Sequence, residues 1–367
     1  MGPLAVRTKK TVFRRAVVNF YKSPRRSIML TKVCRVFGVS IVMLLVLFNF
    51  AYAKERKVRV TMDFNLQAPS DAKEVKLWVP YPVSDRWQTV SDIMVKGNFS
   101  NQYVTTDPIY GDHILYAEWK DGQKERRLIY EFTVLRKEAV TKEFNKKEPA
   151  TVKTEFSEYL KPHSLMPLEG KVKELATKIT KGKKTNLEKA RAIHDWIVDN
   201  MHRDPNVKGC GFGDVEKLLV TMGGKCGDIH SVFVALARAS GVPARDIWGI
   251  RIPKGKEGDM TKAQHCWAEF YNPGYGWVLV DPADVRKAIL EQKLTLEQAK
   301  PLREYFFGAV DDSRIGFGRA RDLVLNPPQS GKPLIYFMYP HAEADGKVLN
   351  EDLFGFNIGY KISFKEL

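Results

Sequence analysis

The chain has 367 residues, 44% of them hydrophobic and 28% charged, a balance that excludes a disordered protein and suffices for about two or three domains. Its formal net charge is +16, but ten of the basic residues fall within residues 1–53, which hold no acidic residue, leaving +6 for residues 54–367. With no basic stripe on a folded element, that charge argues against nucleic acid as a partner.

Residues 1–53 account for the excess. From Gly38 to Phe50 the chain is apolar except for Ser40 and Asn49, and this run is shorter than the roughly 20 residues that span a bilayer. Ala51-Tyr52-Ala53 then fits the small-x-small rule of signal peptidase. Basic region, apolar run and cleavage site together read as a secretory signal peptide over 1–53, with Met29 as the start that would give it ordinary length. The competing reading is an uncleaved anchor, the one way in which this chain would touch a membrane. Arg25-Arg26 lies too far from the apolar run to weigh as a twin-arginine signal. Both readings put the folded part outside the cytoplasm, in the periplasm or secreted.

Residues 54–140 alternate in short runs (Val58 to Phe64, Val75 to Val79, Leu128 to Val134) separated by polar turn clusters, which predicts a β-sandwich domain. The charged stretch 141–158 reads as a linker. Within 159–300, Val172, Leu175, Ala176 and Ile179 recur at helical spacing, and Asn186 is the expected N-cap of a helix carrying Ala190, Ile193, Trp196 and Ile197. A glycine-rich loop, Gly209 to Gly213, and a helical turn near Leu218 follow. Residues 301–367 are expected to form a β-rich C-terminal extension, with Leu334 to Tyr339 its clearest strand.

The chemistry concentrates after Gly223-Gly224-Lys225. Ile229, Val232, Phe233 and Leu236 mark one apolar helix face, stopped by Gly241 and Pro243, so Cys226 falls at a helix N-terminus. Unpartnered N–H groups there favour a thiolate and can receive an oxyanion. Cys34 departs with the signal, so Cys210, Cys226 and Cys266 remain, an odd number that leaves one thiol free or paired between chains.

A thiolate needs a base, and His265 opens a strand-like run that turns at Asn272 to Gly276 into Trp277-Val278-Leu279-Val280-Asp281. In an antiparallel hairpin with a three-residue loop, Asn272 to Gly274, Asp281 faces His265; with a five-residue loop it faces Trp267 and His265 is its diagonal neighbour. Either register keeps His265 and Asp281 on one face, whereas a four-residue loop would separate them. The set Cys226, His265 and Asp281 therefore reads as nucleophile, base and orienter. His230 shares the helix face of Cys226 but lacks an evident carboxylate partner, and Glu269 is the fallback orienter. A metal held by Cys210, Cys226, His265 and Cys266 fits no common zinc spacing, and strand alternation turns Cys266 away from His265. No metal is expected.

Four blocks in this order (Gly224 to Asp228, Ala235 to Arg245, His265 to Tyr271, Gly276 to Arg286) resemble the transglutaminase-like core of bacterial exported proteins, over roughly residues 160–290. The resemblance implies an α+β fold of papain/transglutaminase type. A helix carrying Cys226 would pack on an antiparallel sheet carrying His265 and Asp281, preceded by the β-sandwich and working without a cofactor. It also implies a disulfide between Cys210 and Cys266, with two buried thiols as the competing reading. It places no side chain at the oxyanion, for which Gln264, Trp196 and Trp248 are the candidates in this sequence. The implied activity is acyl transfer on an amide through a thioester, in a protein, peptide or peptidoglycan-type substrate, with hydrolysis favoured over cross-linking on family analogy. The alternative is a non-catalytic envelope binding or scaffold protein on the same fold.

Overall fold

The computed structural model describes residues 54–141 and 154–367; the expected signal segment 1–53 and positions 142–153 of the expected linker lie outside the described residues. Fourteen strands build the three larger sheets. In chain order the first seven are β1 (Glu55–Asn65), β2 (Val75–Tyr81), β3 (Gln88–Gly97), β4 (Asn101–Thr106), β5 (His113–Trp119), β6 (Arg127–Lys137) and β7 (Ala244–Arg251). The others are β8 (Glu257–Asp259), β9 (Gln264–Asn272), β10 (Gly276–Val280), β11 (Arg314–Gly318), β12 (His341–Ala344), β13 (Lys347–Val348) and β14 (Tyr360–Glu366).

Alternation decides the first layer. In β1, Val58, Val60, Met62 and Phe64 are buried while Lys57, Arg59 and Asp63 are exposed, so one face joins the core and the other meets water. The strand pairs with β6, Val58 opposite Val134 and Val60 opposite Phe132. The two five-stranded sheets run β8-β14-β1-β6-β3 and β13-β12-β2-β5-β4, and their inner faces bury one apolar core, the arrangement of a sandwich. The stretch 301–367 is divided: β12 and β14 complete the sandwich, while β11 joins the third sheet, β10-β9-β7-β11. Its pairing run at Leu334 ends at Tyr336, not Tyr339, because Phe337, Met338 and Tyr339 are all buried and leave the ladder to pack inward.

The third sheet packs against α4 (Cys226–Ala239), every residue of which is buried. Around it lie α1 (Lys171–Ile179), α2 (Asn186–Asn200), α3 (Val215–Thr221) and α5 (Pro282–Gln292). The helix ends where Gly241 adopts φ +80° and the Val242 N–H returns to the Ala237 carbonyl at 2.9 Å. The N-cap of α2 is Thr185, one residue before the expected Asn186. Thr185 and Glu188 form a reciprocal capping box, and the Asn186 amide instead donates to the Tyr271 carbonyl at 2.9 Å, tying the helix to β9. Among the described residues no helix is long and apolar enough to cross a membrane.

Candidate active site

The glycine-rich loop and the start of α4 are built as one piece. Gly211, at φ +87°, would place a Cβ 1.9 Å from the Asp228 carboxylate, and a Cβ at Gly227 would sit 2.7 Å from the Cys210 carbonyl. Only glycine admits this approach. Asp228 then accepts from Gly213 N at 2.9 Å and from Lys225 N at 3.1 Å, closing the first turn of the helix from both sides. Burial pushes its carboxyl up to about 6 against those hydrogen bonds, and the neighbouring Cys226 adds to the rise. The result fixes Cys226 as the first residue of α4.

Cys226, His265 and Gln264 line one cleft of about 570 Å³. The Cys226 thiol is held well below its ordinary range by hydrogen bonds from Cys210 and Cys266 and by His265, against the opposing effect of burial. Burial and Arg251 act to lower His265, but Asp284 and Asp281 outweigh them and raise it. Thiolate and imidazolium are thus the favoured pair. Cys210 and Cys266 are both pushed well above the usual thiol range, Cys210 chiefly by its bond to Cys226 and Cys266 chiefly by burial. All three are free thiols, and the Cys210–Cys266 disulfide implied by the resemblance is absent: Cys210 Sγ donates to the Gln264 carbonyl at 3.2 Å, and Cys266 Sγ lies 3.4 Å from His230 Nδ1.

His265 Nε2 meets Asp281 Oδ2 at 2.9 Å, leaving Nδ1 for the sulfur. Arg314 Nη1 donates to the same Oδ2 and lies 3.2 Å from His265 Nε2. A guanidinium cannot accept, and a bare ring nitrogen at 2.9 Å from a carboxylate oxygen would repel it, so Nε2 carries a proton. The hairpin register places Ala268 opposite Val280, the one in which Asp281 lies diagonal to His265, and the turn is Pro273 to Tyr275. Asp281 itself lies just past β10 and caps α5, accepting from Asp284 N at 2.8 Å with Pro282 as the first helical residue. That Asp-Pro-x-Asp capping pattern was the available sequence signal for this placement.

His230 is not the unpartnered residue that the sequence suggested. Its Nε2 lies 3.1 Å from Asp281 Oδ1 and its Nδ1 3.4 Å from Cys266 Sγ, so one carboxylate serves two buried histidines. Alternation does set Cys266 and His265 on opposite faces of β9. Both nonetheless hydrogen-bond Cys226, because the start of α4 lies beside the start of the strand. Glu269 lies away from this cluster, paired with Arg245 at 2.8 Å.

Arg314, fully buried, is the site residue to which no sequence pattern pointed. Beyond Asp281 it donates to Asp284 at 2.7 Å and to Asp311 at 3.0 Å. Burial of Asp281 would raise its carboxyl, but Arg314 and the two histidines hold it well below the usual range. Ligand atoms of His265, Asp281 and Asp284 lie within 4.8 Å of one another, yet the positive charge among them is already the Arg314 guanidinium. Of the three oxyanion candidates, Trp248 donates to the Ala320 carbonyl at 2.8 Å and Trp196 packs on the core. Gln264 alone borders the cleft, and its carboxamide N and O are both buried without a partner.

Comparison with known proteins agrees with this architecture. Residues 173–282 match the model of the transglutaminase-like superfamily. An uncharacterized protein of Haemophilus influenzae is 40% identical over 319 residues, covering 79% of this chain and 86% of its own. The uncharacterized Bacillus subtilis protein YebA is 29% identical over 129 residues, 31% of this chain and 18% of that one. A Cytophaga hutchinsonii structure described as a candidate cysteine protease superposes with a TM-score of 0.52 at 17% identity, covering 85% of this chain and 99% of its own, a likeness of fold. Helix α4 against an antiparallel sheet, the matched segment and the long-range identity together mean that the chain belongs to the transglutaminase-like superfamily.

Proposed function

We propose that this protein is an exported cysteine enzyme of acyl transfer acting on amides of proteins or peptides. The observation that carries the reading is a Cys226 thiol of depressed pKa in one cleft with His265, whose far nitrogen is bonded to the buried Asp281. In the reaction the Cys226 thiolate attacks the amide carbon and forms the C–S bond. The oxygen takes the negative charge, the His265 imidazolium gives its proton to the leaving nitrogen, and the C–N bond breaks. Water or an amine then loses a proton to His265 and attacks the thioester, releasing acid or new amide and restoring the thiolate. Export rests on the signal-peptide features of residues 1–53.

Gln264 and the N–H groups at the start of α4 are the donors available to the oxyanion. Gln264→Ala is expected to lower kcat by roughly 10²–10³ with little change in KM, the usual cost of one oxyanion donor. An unchanged kcat would assign the oxyanion to the backbone alone.

The direct test is thiol reactivity. Cys226 in the native protein should be alkylated at pH 6 far faster than a free thiol, whose pKa near 8.5 leaves it almost fully protonated there. His265→Ala should slow this rate, since it removes the charge that holds the thiolate. Alkylation at the free-thiol rate in both proteins would return the chain to the scaffold reading.

A further inference from the structure

The cleft beside Cys226 has an uneven charge. Six of its lining residues are Lys or Arg: Arg203, Lys225, Arg251, Lys254, Lys262 and Lys287. Among the described residues the one acidic group lining it, Asp311, is already bound by Arg314 at 3.0 Å. Arg251 is tied to Asp284, and Lys287 lies 3.9 Å from Glu291. The other four have no ion-pair partner among the described residues. Arg203 is half-buried, and one of its terminal nitrogens, Nη1, is buried with no acceptor. Unpaired buried donors are rare, and a guanidinium is suited to a carboxylate fork. Six of the basic residues of 54–367 therefore border the site itself.

We propose that the acyl donor is an acidic peptide, with carboxylates on the residues flanking the scissile amide. This rests on the acyl-transfer reading above. Because the reacting group is an amide carbonyl between Cys226 and Gln264, the anions that Arg203, Lys225, Lys254 and Lys262 meet belong to an amide-linked chain. Low-dielectric walls focus the field of such cations into the cleft, raising the local concentration of an anionic substrate. Lys254 and Lys262 are exposed at the rim and would act on encounter, while Arg203 lies deeper.

The charge is tested at Cys226 with two reagents of similar size, iodoacetate and iodoacetamide, each rate divided by that of 2-mercaptoethanol with the same reagent. The expected iodoacetate preference is roughly tenfold at low salt, shrinking at 1 M salt as screening sets in. The charge reversal Lys254→Glu with Lys262→Glu should remove most of that preference, read as the ratio of the two normalised rates, in which any common change in thiol reactivity cancels. This separates the rim from the imidazolium of His265. Equal normalised rates, unaltered by the reversal, would overturn the acidic-substrate inference while leaving the reactive thiol standing. If neither reagent outpaces 2-mercaptoethanol, the acyl-transfer reading fails and this inference with it. Peptide pairs differing only by Glu against Gln beside the amide then read kcat/KM directly. A preference for Glu in linear peptides indicates a protein segment, one confined to branched cell-wall peptides indicates a wall source, and none in either set overturns the proposal.

Discussion

Cys226→Ala should abolish amide turnover, with kcat falling on the order of 10⁴-fold or more, and should eliminate the covalent acyl-enzyme seen by mass spectrometry. The expectation follows from the wiring of the cluster. Cys210 and Cys266 are held protonated, so neither can replace Cys226 as nucleophile although both sulfurs are adjacent. His265→Ala should lose a comparable factor, because triad members act as a unit. The intact enzyme should show a bell-shaped kcat/KM against pH. Its acid limb is the loss of the proton from Cys226, displaced below the ordinary thiol pKa, and its alkaline limb is deprotonation of His265, displaced above the ordinary imidazole pKa. Turnover and acyl-enzyme retained by Cys226→Ala would remove this residue from the chemistry altogether.

Arg314→Met should destabilise the protein by about 3–5 kcal/mol, the usual cost of leaving buried charges without their partner. Asp281, Asp284 and Asp311 all accept from this one guanidinium. The pH dependence gives the loss a distinctive form. In the native protein Asp281 titrates below its unfolded value, so the stability it contributes is present above the unfolded carboxylate pKa and fades as pH falls through the folded one. Without Arg314, the burial of Asp281 is opposed by the two histidines alone, and its carboxyl moves up. A raised folded pKa costs stability as pH rises through it, so the deficit of the variant should narrow toward pH 4 and widen toward pH 8. Denaturant titration of both proteins across this range checks the prediction. A deficit independent of pH would mean that Arg314 matters for packing alone.

Several features were legible because they are local. The alternation of Val58, Val60, Met62 and Phe64 requires one buried face, and Ile229, Val232, Phe233 and Leu236 followed by Gly241 fix both the helix and its stop. The same spacing puts Cys226 at the helix start. The hairpin carrying His265 was legible from its turn residues, although its register was not, because loop composition allows more than one pairing.

By itself, then, the sequence determined the sandwich strands, the helix that presents Cys226 and the strand that presents His265, since each depends on side-chain periodicity and turn chemistry within a few residues. Only the tertiary structure decided that Arg314 bonds three carboxylates, that His230 and His265 share Asp281, and that four cations without an ion-pair partner among the described residues border one cleft. Those contacts depend on pairings such as Arg251 opposite Arg314 between β7 and β11, and on packing across sheets. Apart from Asp311, three residues before Arg314, the partners lie 16 or more residues apart, and no local pattern of apolar and polar positions encodes which charges will meet.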